Sequence, residues 1–422
     1  MTVIPNELRA AAYDALLDIT GTLPLPGTGA VGPTLAAGEA GFALFRAYLA
    51  RSELLSQRES AAQEELALAH LQAAADQLAA ISQQPELFSG FTGVAWVTQH
   101  LLSRGFLDEG EDLCTAVDQA LTAWLRDRGG NMLCELIGGL AGIGLYGLAR
   151  GARPDGRKIV QQVVATLQHT AVADQNCRTW FHAPEKLSSF ARKIHPDGCY
   201  NLGLSHGIPG VLIFLGGASA QDIPGARELL LDATRWLLLQ QRAYHNGSRF
   251  GHSFVRDPWE EPDGSRVAWC YGDLGIAVSL LMASQHSCVA EWRSLALDLT
   301  RIAAQRPVEQ CRVADAGLCH GAFGNAHMFA RLYAATREPY QLEAATRWLA
   351  VGLAMRKPGT GLAGFQAWRP PMPGDSGPPT WHATASLLEG TCGIGLTLIG
   401  FLCSLEPAWD EFLMLNLPPM QV

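Results

Sequence analysis

Two short segments place soft metal ligands directly before a Gly-x-x-Gly step. In WCYGDLGIA, Cys270 and Tyr271 precede Gly272; in LCHGAFGNA, Cys319 and His320 precede Gly321. Aligned on the first glycine, the two cysteines stand two positions before it, and Tyr271 and His320 stand one before it. His206 takes that same place before Gly207 in NLGLSHGIPG. Glu135 lies four positions before Gly139 in CELIGGLAG, and Arg266 lies four before Cys270. Two thiolates and an imidazole suit zinc, because soft sulfur and imidazole ligands select a borderline cation. Three protein ligands leave a fourth tetrahedral position open, as in catalytic rather than structural sites. His327 is the nearest further histidine, but on a helix it would sit about 10 Å beyond His320 at ~1.5 Å per residue. It reads as a packed helix histidine. A lone buried cysteine is ordinarily packing; two cysteines at one register, one beside a histidine, are a metal signal.

The residues converge only if the glycine steps recur in one structural frame, and the step does recur along the chain. It appears at Gly38, Gly90, Gly139, Gly207, Gly272, Gly321 and Gly390. Each step opens an apolar segment with few charges, such as GVLIFLGGASA. Between steps lie amphipathic segments such as EDLCTAVDQALTAWLRDR, with apolar residues at helical spacing. Each repeat therefore predicts two helices, a glycine-led inner one and an amphipathic outer one. Glycines at i and i+3 would share a helix face and permit close approach at its start. One such pair cannot bury its apolar face alone and must stack on its neighbours. The residues before each step then gather at one pole. The longer intervals contain proline-rich loops, FHAPEKLSSFARKIHPDGCYN, RDPWEEPDGSR and WRPPMPGDSGPPTWHAT, of a length that is often functional.

Composition excludes other classes. Hydrophobic residues make up 48% of 422 and charged residues 17%, a globular balance. A net charge of −9 without a Lys/Arg-rich run argues against a nucleic-acid surface. The N-terminal segment lacks the pattern of a signal peptide, and no apolar run reaches the roughly 20 residues of a membrane span. The ten cysteines are scattered, with no CxxC pair and no small disulfide framework. A cytoplasmic protein is expected.

Taken together, WCYGD, CHG, NLGLSHGIPG and the repeated GLAGIG pattern resemble the LanC-type lanthionine cyclases, over about Gly38 to Gly395. TWFHAPEKLSSFARKIHPDGCYN follows the same family pattern. The resemblance implies an all-α fold, a double α-toroid of seven inner and seven outer helices, with residues 1–422 forming a single domain. It implies one zinc ion per chain held by Cys270, Cys319 and His320, and a functional histidine at His206. Arg266 and Tyr271 match the family's active-site arginine and tyrosine. Glu135 stands where the family carries aspartate. A small SH2-like extension, present in some members, is not located here, and no dehydratase region is expected before Gly38.

The reaction so implied is Michael addition of a peptide cysteine thiol to dehydroalanine or dehydrobutyrine, forming a thioether. Arg266 would stabilise the enolate, protonated His206 would supply the proton, Glu135 would orient the imidazole, and Tyr271 would bind substrate or zinc-bound water. The implied partners are a dehydrated precursor peptide and a dehydratase and exporter, with peripheral membrane association through that complex. Three alternatives stay open. One is a non-catalytic zinc-bearing scaffold that binds a peptide, and another adds glutathione-type thiols to dehydroamino acids. The third is a glycan hydrolase, which would need two carboxylates, for which only Glu135 and Glu389 are placed.

Overall fold

The computed structural model describes residues 4–420 apart from 30, 81–83, 109–111, 255–263, 288, 370–376 and 379. Parts of two proline-rich loops and Cys288 thus lie outside the described residues. In chain order the helices begin with α1 (Asn6–Thr22), α2 (Glu39–Ala50), α3 (Gln57–Ala80) and α4 (Phe91–Ser103). They continue with α5 (Thr115–Arg128), α6 (Leu140–Ala149), α7 (Pro154–Thr170), the short α8 (Ser189–Ile194), α9 (Ile208–Ala220) and α10 (Ala226–Leu238). The last are α11 (Asp273–Ser287), α12 (Ala290–Gln305), α13 (Ala322–Thr336), α14 (Pro339–Ala354) and α15 (Thr391–Leu402).

Every glycine step leads into a helix: α2, α4, α6, α9, α11, α13 and α15. All residues of α2 are buried, as are nearly all of α9. A helix apolar all round is a core element. The helices between them bury one stripe. In α10 it is Ala226, Leu229, Leu230, Ala233, Thr234, Trp236 and Leu237, the i, i+3, i+4 pattern of a half-buried helix.

The chain divides into two compact units, residues 1–114 with 313–422, and residues 115–312. Within the first, α2 packs on α3, α13 on α14 and α1 on α15, while α13, α15, α2 and α4 are neighbours in that order. Within the second, α7, α10 and α12 back α6, α9 and α11, and α9 lies between α6 and α11.

The glycine steps work differently from the expectation of a shared helix face. The first glycine precedes the helix as its N-cap in extended backbone; Gly38, for example, has φ −136° and ψ −163°. It cannot share the face of a helix it has not entered. What both glycines permit is close approach of the chain to its own preceding turn. A Cβ on Gly275 would lie 2.6 Å from the Trp269 carbonyl oxygen, six residues earlier, and Gly41 and Gly324 stand in the same relation to Leu35 and Leu318. In the fifth repeat the first glycine, Gly272, has φ +109°, a conformation closed to most L-residues.

The turns so formed are bonded to one another through main chain at the position two before the first glycine. In the second unit the Ile137 N–H donates to Ser205 O at 3.3 Å, and the Ser205 N–H donates to Cys270 O at 3.4 Å. In the first unit the Cys319 N–H donates to Leu388 O at 2.7 Å and the Ala36 N–H to Phe88 O at 3.0 Å. Within each unit these bonds form a collar of backbone links; Cys270 stands in that of the second unit and Cys319 in that of the first.

The long intervals contain small two-stranded antiparallel sheets that helical periodicity did not predict. β1 (Val172–Asp174) pairs with β2 (Cys177–Thr179). β3 (Tyr200–Asn201) pairs with β4 (Ser253–Phe254), and β5 (Ala367–Arg369) with β6 (Thr380–His382).

Candidate active site and metal ligands

In the second unit, His206 sits on the turn entering α9 and Glu135 on the turn entering α6. The collar joins those turns, since the Leu136 and Ile137 N–H groups both donate to Ser205 O. His206 Nδ1 lies 3.0 Å from Glu135 Oε2. The Glu135 carboxylate also accepts the N–H of Ile137 at 2.8 Å and of Gly138 at 2.7 Å. Glutamate's extra methylene is thus taken up by folding back over its own turn, and the carboxylate is fixed while facing the imidazole. The Glu135 side chain is 4% exposed, whereas that of His206 is 48% exposed. A buried anion therefore orients a solvent-reachable ring.

The surrounding protein disfavours the charged imidazole, but the Glu135 hydrogen bond and charge, with a smaller contribution from Cys270, outweigh it and raise the His206 pKa. Behind Glu135 lies a second, fully buried pair, with Cys134 Sγ 3.5 Å from His182 Nε2. Burial pushes His182 down to about 4, so that ring is neutral at neutral pH.

Tyr271, on the turn entering α11, brings its ring centroid to 6.4 Å from that of His206. Its hydroxyl meets Asn201 Nδ2 at 3.0 Å, and the ring of His252 packs edge-on at 5.2 Å. Burial raises the phenol pKa, with the Asn201 hydrogen bond acting the other way. Cys270 is buried in the same turn. Arg266 is half-buried, and its Nε is enclosed without a hydrogen-bond partner among the described residues.

In the first unit, Cys319 and His320 occupy the turn entering α13, both half-buried, with Cys319 Sγ and a His320 ring nitrogen within 4.8 Å of each other. A thiolate beside an imidazole is a zinc-type donor pair. Asp315 braces this turn. Its buried carboxylate accepts the Gly317 N–H at 3.0 Å and, from β5, the Trp368 N–H at 2.8 Å. Glu389, the other carboxylate considered from sequence, forms an ion pair with Arg369. His327 is buried in α13, bonded to Asp410 at 2.8 Å and stacked on Trp409, as a packed helix histidine.

The sequence-selected residues thus fall into two groups. Glu135, His206, Arg266, Cys270 and Tyr271 belong to the second unit, and Cys319 and His320 to the first. Sequence reasoning missed Asn201, His252, His182 and Asp315. Only Asn201 left a trace, the Asn-Leu-Gly pattern of a side-chain-closed turn. The nine described cysteines form no disulfide among the described residues. No described helix is long and apolar enough to cross a membrane.

Comparison with known proteins places these observations. A family model described as lanthionine synthetase C-like protein matches residues 29–414. Among solved structures, a nisin cyclase is similar with a TM-score of 0.72 and 20% identity, over 97% of this chain and 98% of that chain. At that identity the likeness shows a shared fold, the helical toroid of the nisin cyclase, and bears out the all-α architecture expected from the repeat.

Proposed function

The chain belongs to the lanthionine synthetase C-like family, and we propose that it acts as a lanthionine cyclase, closing thioether rings in a dehydrated precursor peptide. The observation that carries the reading is the His206–Glu135 pair, a half-open imidazole whose other ring nitrogen side is oriented by a buried carboxylate. That pair stands on a turn bonded directly to the turn of Cys270.

The donor set fits zinc, with Cys270, Cys319 and His320 as the proposed ligands. When bound, such an ion supplies Lewis acidity that turns a substrate thiol, with a pKa of about 8.5, into a thiolate at neutral pH. Residues 1–422 are proposed to act as one functional domain. The remaining work belongs to side chains. The substrate sulfur forms a bond to Cβ of dehydroalanine or dehydrobutyrine, and the π electrons move to the carbonyl oxygen as an enolate. The Arg266 guanidinium is the proposed counter-charge for that oxygen. His206, protonated, gives a proton to Cα as the enolate collapses. Glu135 accepts the Nδ1–H and so turns Nε2 towards the substrate. No atom is gained or lost.

The proposed partners are the precursor peptide and, in a maturation complex, a dehydratase and an exporter; the proposed location is cytoplasmic, at the membrane through that complex. The experiment is to incubate the zinc-loaded protein with a peptide containing one cysteine and one dehydroalanine, counting alkylatable thiols by mass spectrometry. The expected result is loss of the free thiol at unchanged mass. Tight peptide binding with no thiol lost would favour the scaffold reading. Consumption of added glutathione in place of the peptide thiol would favour intermolecular addition.

Glu135 supplies a prediction of definite sign. Its hydrogen bond and charge raise the His206 pKa, keeping the ring protonated to higher pH. Glu135→Gln removes the charge and leaves at most a neutral amide oxygen to accept the Nδ1–H, so the alkaline limb of the pH–rate profile moves to lower pH and turnover at neutral pH falls. Glu135→Asp retains substantial activity, and zinc content stays the same in both variants. A profile with its alkaline limb unmoved in Glu135→Gln would reduce Glu135 to a structural glutamate.

A further inference from the structure

We propose that Asn201 is a positioning residue that fixes the Tyr271 hydroxyl as a hydrogen-bond donor pointing away from Asn201, towards an oxygen acceptor of the substrate. The acceptor's identity as the carbonyl or enolate oxygen of a dehydroamino acid rests on the cyclase reading; the direction of the hydroxyl does not.

Asn201 ends β3, where it pairs with Ser253 of β4, and the following Leu202 N–H donates to His252 O at 3.0 Å. The Asn201 backbone is therefore held from both sides. Its side-chain Oδ1 accepts the Gly203 N–H at 2.9 Å. A backbone N–H can only donate, so the amide cannot be turned over without losing that bond. Nδ2 is left facing the Tyr271 hydroxyl at 3.0 Å. An amide nitrogen likewise only donates, so the phenol oxygen is the acceptor in this contact. The hydroxyl hydrogen must go elsewhere, and Tyr271 has no other hydrogen bond among the described residues.

The ring cannot swing to escape this arrangement. Gly203 lies against one side so closely that a Cβ there would stand 2.6 Å from Tyr271 Cε1. The His252 ring abuts it at 72° between planes. The ring of His206 lies 6.4 Å away, centroid to centroid. A fixed donor beside the proposed proton source is what an oxygen gaining negative charge requires, and such a donor strengthens its bond as that charge develops.

The test inverts the bond without changing the shape. In Asn201→Asp the carboxylate accepts the phenol hydrogen and redirects it inward. Asn201→Ser keeps an acceptor for the Gly203 N–H but is too short to reach the phenol, and serves if the aspartate variant misfolds. The tyrosine Fermi doublet in Raman spectra, taken as the difference from Tyr271→Phe, reports whether that phenol donates or accepts. Asn201→Asp should show the strong-donor signature that the wild type lacks. On the cysteine–dehydroalanine peptide it should lose up to about 10²-fold in kcat, with KM nearly unchanged and zinc retained. The double variant with Tyr271→Phe should be no slower than Tyr271→Phe alone, since both changes remove one interaction. An unchanged doublet in Asn201→Asp and Asn201→Ser overturns the inference whatever the rates. A changed doublet with wild-type kcat overturns it too. A wild-type protein that closes no ring sinks the cyclase reading instead, and the doublet then decides the hydroxyl's direction alone.

Discussion

A protein carrying Cys270→Ala and Cys319→Ser together is expected to purify folded, without zinc and without ring-closing activity. Each change removes a thiolate, and His320 alone is a poor site for a cation that ordinarily takes four ligands in tetrahedral array. Zinc content by elemental analysis should fall from about one per chain to near zero, and X-ray absorption of the wild type should show two sulfur ligands and one histidine nitrogen. The fold should survive, because the collar bonds at these positions use main chain. The Cys319 N–H meets Leu388 O, and Cys270 O meets the Ser205 N–H, whatever side chains are present. Added zinc should then raise the melting temperature of the wild type after chelation, and not that of the variant, since only a ligand that binds the native state stabilises it. A double variant that still holds zinc would remove these residues from the metal site.

The second large effect is expected at His206. His206→Asn keeps a polar side chain of similar reach but cannot carry a proton to Cα, and general acid–base catalysis typically supplies about 10²–10⁴-fold. The rate of thiol loss on the test peptide should fall by that order, with zinc content unchanged. Because Glu135 raises the His206 pKa, the wild-type rate should decline only as pH rises through that raised value. The residual rate of the variant should be nearly flat over the same range. A variant that cyclises at the wild-type rate would show that another group delivers the proton.

The sequence already contained the framework of these turns. The Gly-x-x-Gly register placed Cys270, Cys319, His320 and His206 at equivalent turns, and the apolar runs after each step became buried helices. Periodicity reads such elements well because burial and helix geometry act on the same few residues. Glu135 was legible as a position but not as a geometry. Nothing in CELIGGLAG states that the carboxylate folds back onto the N–H groups of Ile137 and Gly138. The small sheets were illegible, since strands of two or three residues are too short to show alternation. Asn201 and His252 were missed because each meets Tyr271 from a distant part of the chain, through contacts that only the fold creates. The role of the first glycine was misjudged because its neighbour is a carbonyl of the preceding turn, and backbone atoms leave no mark in residue types.

The collars carry an implication for how such a protein can change. Their bonds run between N–H and C=O groups, and the residues at the bonded positions include Ile137, Ser205 and Cys270 in one unit and Ala36, Phe88, Cys319 and Leu388 in the other. Small, aromatic, branched, hydroxyl and thiol side chains all occupy the same backbone mount. The scaffold therefore separates what holds the turns in place from what the turns present. A new donor, acid or apolar contact can be installed at one mount by a single codon without asking the neighbouring turns to rearrange. Chemistry at these turns is interchangeable in a way that the glycines beside them, pressed against carbonyl oxygens, are not.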